Sequence, residues 1–363
     1  MKWPLGVMLL LLSTLLMASC TRVAAQAGPG AAGAAGSPAL LYTCNQMDAT
    51  VSVIDMATLE VVRTVDLQAL GFSANAKPHH VAVEPDGSFW YLSLIGESKV
   101  LKFNRADELV AQADFETPGM LVLDPKADAL YVGRSMSAVN PPARIGVIRR
   151  SDFSVDEVEV FFPRPHALAA SPDGRFVYTA SLAENRMAAL ETASMEITLA
   201  DLPGPIHTLV QFAVSPDGNT MVAGGQLTGK LFIFDTSTPP ALPVLATVEV
   251  AAAPWHPVYT PDGRYVFLGN KNANVVTVLD VAVQKVVAEI RGEGIAEPHG
   301  AAVSPDGRFV FISNNNMKMD ASMNHEGGHA MLGTVVAINT ETLTIEKVIP
   351  VGHMPTGLGA AAR

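Results

Sequence analysis

The sequence predicts an all-β chain folded as a seven-bladed β-propeller, and three observations carry that prediction. A Pro-Asp-Gly turn recurs at Pro85, Pro172, Pro216, Pro261 and Pro305, with a degenerate copy, Asp124-Pro125-Lys126, after the first. Successive copies stand about 40 to 47 residues apart, which is the period of a four-stranded propeller blade. Each copy lies between short apolar runs, and the mature chain lacks amphipathic helical stretches of useful length, so helical solenoids are excluded.

The run before each turn (HVAVE, MLVLD, HALAAS, QFAVS, PVYT, GAAVS) predicts a strand, and runs such as FWYLSL, FVYTAS, YVFLGN and FVFISN predict the strand after it. Proline sets φ for the turn and glycine supplies a positive φ, so each unit opens with a hairpin. Two outer strands follow, as in VVTVLD after Asn272-Ala273-Asn274 and then KVVAEI. First strands start near His79, Met120, His166, His207, His256 and His299, which makes six blades. The seventh is split: residues 40–66 supply its three outer strands and Pro355 to Ala362 its inner one. Pairing of N- and C-terminal strands then closes the ring and leaves no open edge. Residues 39–363 are expected to form this one domain.

The segment before it reads as an export leader. Lys2, a mostly apolar run from Val7 to Met17 and small residues ending at Cys20 give residues 1–19 the form of a signal peptide. The run is shorter than the roughly 20 residues a membrane-spanning helix needs. Met17-Ala18-Ser19-Cys20 resembles the lipobox of bacterial lipoproteins, which implies lipidation of Cys20, and residues 20–38 form an Ala/Gly/Pro tether suited to an anchored domain. Ala25-Gln26-Ala27 is the rival cleavage site and would release a soluble protein. Either way the expected location is the periplasm or cell envelope. With two cysteines, one of them Cys20, no disulfide framework is available. Loss of Lys2 with the leader takes the net charge from −11 to −12, which argues against nucleic acid and anionic lipid as partners.

The repeated "V-SPDGR-VY" units resemble the YVTN-type seven-bladed propellers, a superfamily that includes the cytochrome d1-like and lactonase propellers. The resemblance covers nearly everything after residue 38 and implies fold rather than function. Gly204-Pro205-Ile206-His207-Thr208 and Pro298-His299-Gly300 are similar to histidine motifs in the propeller of nitrous oxide reductase, which implies copper ligation. That enzyme's cupredoxin domain is missing from this sequence, so its reaction does not transfer, and without C-x-x-C-H there is no covalent c-type haem.

All nine histidines fall on one face of the expected propeller, called here the top, opposite the Pro-Asp-Gly turns. His79, His166 and His299 each stand six residues before the turn proline, at the axial end of the inner strand, and are expected to form a primary metal site. His80 and His256 stand five before it, and His207 and His353 lie in the connections entering their blades; these four are nearby candidates. Protonated imidazoles converging on an axis repel one another, so a bound ion is the simplest reason to gather them. His325 and His329 lie in an insertion of the last blade, NNNMKMDASMNHEGGHAMLGTVV, with Met317, Met319, Met323 and Met331. Thioether with imidazole suits copper, particularly Cu(I), with zinc as the alternative. The insertion is expected to serve as a capture arm or lid. Glu116, Glu297, Asp320 and Glu326 are unranked acids near the mouth, Cys44 is expected to be a buried small residue, and Asp55, Asp235 and Asp280 are expected to hold turns.

The function expected from these residues is metal binding for metal handling or redox chemistry. Two alternatives stand: a metal-free scaffold for another envelope protein, and a lactonase-like hydrolase, which the superfamily implies but no nucleophile motif supports.

Overall fold

The computed structural model describes residues 39–317 and 332–360. Twenty-eight strands form seven four-stranded antiparallel sheets, one per blade. In chain order, β1–β3 (Leu40–Asn45, Thr50–Asp55, Glu60–Asp66) precede β4–β7 (Pro78–Val83, Phe89–Leu94, Lys99–Asn104, Leu109–Asp114) and β8–β11 (Pro118–Leu123, Ala129–Arg134, Arg144–Arg149, Val155–Glu159). The next two blades are β12–β15 (Pro165–Ala170, Phe176–Ser181, Arg186–Glu191, Ile197–Asp201) and β16–β19 (Leu209–Val214, Thr220–Gly225, Lys230–Asp235, Val244–Glu249). They are followed by β20–β23 (Pro254–Tyr259, Tyr265–Asn270, Val275–Asp280, Lys285–Ile290) and β24–β27 (Pro298–Val303, Phe309–Asn314, Thr334–Asn339, Thr344–Pro350), and the chain ends in β28 (Pro355–Ala360).

The split blade forms as the sequence predicts. β28 pairs antiparallel with β1, matching Leu41 to Ala360 and Tyr42 to Gly359, so the sheet order is β28-β1-β2-β3. Gln46 N donates to Met354 O at 3.1 Å and extends the clasp beyond the strands. The inner strands β28, β4, β8, β12, β16, β20 and β24 contact one another in a closed ring.

The turn residues act as their chemistry dictates. Ser171 Oγ donates to Asp173 Oδ1 at 2.6 Å and accepts from Phe176 N, while Asp173 Oδ1 accepts from Arg175 N. The same arrangement recurs at Ser215, Thr260 and Ser304. Asp55, Asp235 and Asp280 accept backbone N–H bonds in the turns after their strands.

The core sits in the inner and middle strands, whose alternate faces fill the space between neighbouring blades. Tyr42 stacks on Trp90 across one such interface at 4.9 Å, and Trp90 on Phe103 at 4.0 Å. Each aliphatic or phenyl side chain fully buried there contributes about 1.5–3 kcal/mol relative to exposure. Cys44 is fully buried, as its small neighbours in register suggest. The outermost strands face solvent, β3 and β19 being exposed along most of their length.

Among the described residues no helix is long and apolar enough to cross a membrane. The expected leader and tether, at residues 1–38, lie outside the described residues. So do His325, His329, Met319, Met323 and Met331, together with Asp320 and Glu326.

Candidate metal centre

The backbone brings the inner-strand residues to the axis by a device repeated in each blade. The residue before each inner strand takes a positive φ in the left-handed region: Lys77, Thr117, Arg164, Thr208, Ala253, Glu297 and Met354. That conformation is uncommon for residues other than glycine. The register between inner strand and neighbour then slips within the first few residues, between Pro78 and Val81, Pro254 and Pro257, and Pro298 and Ala301. Such bulges re-aim side chains. Two consecutive residues, rather than one, thereby become available to the channel mouth.

Five histidines meet there. The His79 ring centroid lies 6.3 Å from His166 and 6.0 Å from His299; His256 lies 5.1 Å from His299 and 6.3 Å from His80. Four of the five are buried, and His80 is half-buried. Gly357 makes room for the pair on β4, since a Cβ there would meet His79 O at 2.5 Å and His80 Cα at 2.7 Å.

The hydrogen bonds fix three tautomers. His166 Nδ1 donates to Arg134 O at 2.6 Å, and His79 Nδ1 donates to Gln46 Oε1 at 3.4 Å, which leaves Nε2 of each as the lone-pair nitrogen. His80 instead accepts from Leu121 N at 3.3 Å through Nδ1. His79 Nε2, His256 Nε2 and His299 Nδ1 are buried without a hydrogen-bond partner, and so is Trp255 Nε1. Burial holds His80 down at about 3, with a further push from His166, and holds His166 at about 4. Burial likewise places His79, His256 and His299 well below the ordinary imidazole value, and neighbouring histidines and Lys271 add to the shift. All five are neutral at neutral pH, the form that ligates metal.

Of the seven described histidines, two stand apart from this cluster. His207 is committed elsewhere: Nε2 donates to Pro203 O at 3.2 Å, Nδ1 accepts from Thr228 Oγ1 at 2.9 Å, and the ring meets Phe232 edge-on. His353 Nδ1 donates to Asp48 Oδ1 at 2.8 Å and braces the ring closure. Conversely, His80 and His256 join the cluster fully, because the bulge turns adjacent positions inward. Met317 is about half exposed, its N–H donating to Glu297 Oε2 at 2.7 Å.

Trp255 and Lys271 escaped the sequence reading. Trp255 lies 4.4 Å from His299, and Lys271 Nζ stands 4.3 Å over the indole. Trp255 shares the X-Pro register of His79 and His299, so the signal was present in its position; Lys271 sits in the 3-10 turn Lys271–Ala273, where sequence alone gives no cue.

With a metal–nitrogen bond of about 2.0–2.1 Å, two imidazoles on one ion have centroids at most about 6.4 Å apart, an upper bound that the pairs His79–His166, His79–His299 and His256–His299 meet. Among the described residues no group of three or more His, Cys, Asp or Glu side chains stands ready to hold a metal ion. The rings are arranged as linked pairs.

The seven-bladed fold is shared with solved propellers of differing function. The structure of PpgL, the periplasmic gluconolactonase of Pseudomonas aeruginosa, is similar with a TM-score of 0.69 at 20% identity, over 90% of this chain and 99% of that one. A putative 6-phosphogluconolactonase of Bacteroides fragilis gives 0.67 at 14% identity, over 90% and 99%. NirN, a dihydro-heme d1 dehydrogenase, gives 0.61 at 14% identity, over 88% of this chain and 74% of that one. At these identities the likeness is one of fold. No family model matches the chain, and neither does any curated protein sequence.

Proposed function

We propose that this protein is an exported, envelope-located propeller that binds a transition metal, copper or zinc, at the top of its channel. His79, His166 and His299 form the primary set, with His256 as a further ligand; His80, whose Nδ1 accepts from Leu121 N, lies beside them. The observation that carries the reading is the group of buried ring nitrogens without partners at His79, His256 and His299. Leaving each buried polar atom unpaired costs about 1–3 kcal/mol, and a cation bound to lone pairs recovers that cost. The bonds from His79 to Gln46 and from His166 to Arg134 O are the kind of outer contact that orients metal-ligating imidazoles. Because the rings stand as pairs, loading requires rotation about the Cβ–Cγ bond of His256 and His299, whose buried nitrogens lack partners, while His79 and His166 keep their bonds. The insertion containing Met317, His325 and His329 leaves the blade that carries His299 and serves as the capture arm.

Export rests on residues 1–19, and the periplasmic location of PpgL agrees with it. Lipidation of Cys20 would tether the domain through residues 20–38. Diffraction data from copper- and zinc-soaked crystals, collected at both absorption edges, test the site. An anomalous peak bonded to at least two of the five imidazoles supports it, and a peak confined to surface carboxylates or to His353 opposes it.

A lactonase-like activity is the second reading, favoured by the fold shared with PpgL and the Bacteroides protein. Gluconolactone turnover by metal-free protein, unaffected by loss of His166, would favour it.

A further inference from the structure

We infer that Lys271 and Trp255 form an anion subsite beside the histidine cluster, so that the metal is bound together with a small exogenous anion; this rests on the metal reading above. Lys271 Nζ, 4.3 Å over the Trp255 ring, has no hydrogen bond or ion pair among the described residues. Trp255 is 7% exposed, and its Nε1 donor is buried and unpartnered. The indole lies 4.4 Å from the His299 ring, whose Nδ1 is also without a partner. An ammonium and an N–H donor, both unspent, thus adjoin the candidate metal ligands.

Charge balance points the same way. With the imidazoles neutral, Lys271 is the charged group among those acting on His79, His256 and His299. A divalent ion among neutral imidazoles beside an ammonium would leave positive charge out of water that Glu297 offsets only in part, an arrangement that is unfavourable without a further counter-charge. Glu297 attracts Lys271 electrostatically without an ion-pair contact, and its Oε2 accepts the Met317 N–H. An incoming anion supplies the counter-charge. The fitting ligand is a small monoanion with one end on the metal and the other accepting from Lys271 Nζ or Trp255 Nε1, such as a carboxylate or a triatomic inorganic anion.

Azide serves as probe for the full-length protein loaded with Cu(II), after copper content has been measured on the same samples. Wild type is expected to develop an azide-to-copper charge-transfer band with at least tenfold tighter azide binding than Lys271→Gln, with Trp255→Phe, which keeps the ring and removes the donor, falling between them. Equal azide affinity in all three copper-loaded proteins would overturn the subsite. If none takes up copper, the metal reading fails separately, and bromide-soaked crystals decide the anion. A bromide peak within contact of Lys271 Nζ then sustains the subsite, and its absence overturns it.

Discussion

His166 donates its Nδ1 proton to the carbonyl of Arg134 at 2.6 Å, and that bond fixes which nitrogen faces the channel. Arg134 is itself locked in place: it is 1% exposed, lies over the Phe115 ring at 4.0 Å, and donates to Glu116 O and to Glu157. The bond holds His166 in the tautomer whose Nε2 carries the lone pair. Exchanging His166 for Ala is therefore expected to weaken copper binding more than any single change at His207 or His353, whose ring contacts lie elsewhere. Isothermal titration of the three alanine variants checks the order.

Gln46 supports His79 in the same way, through its Oε1 at 3.4 Å. Loss of such an outer partner typically lowers metal affinity by about 10- to 100-fold. Gln46→Ala is expected to fall in that range while keeping the wild-type melting temperature in the metal-free form. A competition titration with a chelator of known affinity measures it, and an unchanged affinity would remove Gln46 from the site.

Acid is expected to unfold the metal-free protein earlier than its surface charges alone would. His80 and His166 titrate near 6.5 in the unfolded chain but only at about 3 and 4 when folded. Above pH 6.5 both are neutral in both states and the difference contributes nothing. Below it the unfolded chain takes up protons that the folded chain refuses, so stability falls by about 1.4 kcal/mol per pH unit for each histidine until the folded value is reached. Urea midpoints between pH 7 and 4.5 should drop steeply, and less steeply in His80→Ala/His166→Ala.

Gly357 is expected to resist substitution. A Cβ there collides with backbone atoms of His79 and His80, which have no flexible end to yield. Gly357→Ala should cost about 1–3 kcal/mol by chemical denaturation, as overpacking does. A variant as stable as wild type would show that β28 and β4 are more loosely joined than their contact implies.

Cys20→Ser is expected to move the protein from the membrane fraction to the soluble periplasmic fraction, or to block processing. Wild type found wholly in the soluble fraction would contradict lipidation.

The blade count was legible because the Pro-Asp-Gly turn is a local device: proline, aspartate and glycine each act within their own few residues. Closure by Pro355–Ala360 was legible because six inner strands leave one place unfilled. The site was only partly so. Position relative to the turn proline placed His79, His166 and His299 at the mouth, but the register slip after Pro78 and Pro254, which also turns in His80 and His256, is a property of strand pairing that no residue type announces. Likewise the bonds that retain His207 reach Thr228, 21 residues away in sequence, and Lys271 enters from a single turn on the next strand.

The most direct measurement of the central claim is the metal content of protein purified without a histidine tag, before and after exposure to copper or zinc and gel filtration. Wild type is expected to retain at least one equivalent, and His166→Ala/His299→Ala to retain none while eluting and melting as a folded propeller. Wild-type protein that carries no metal and takes up neither copper nor zinc would contradict the account.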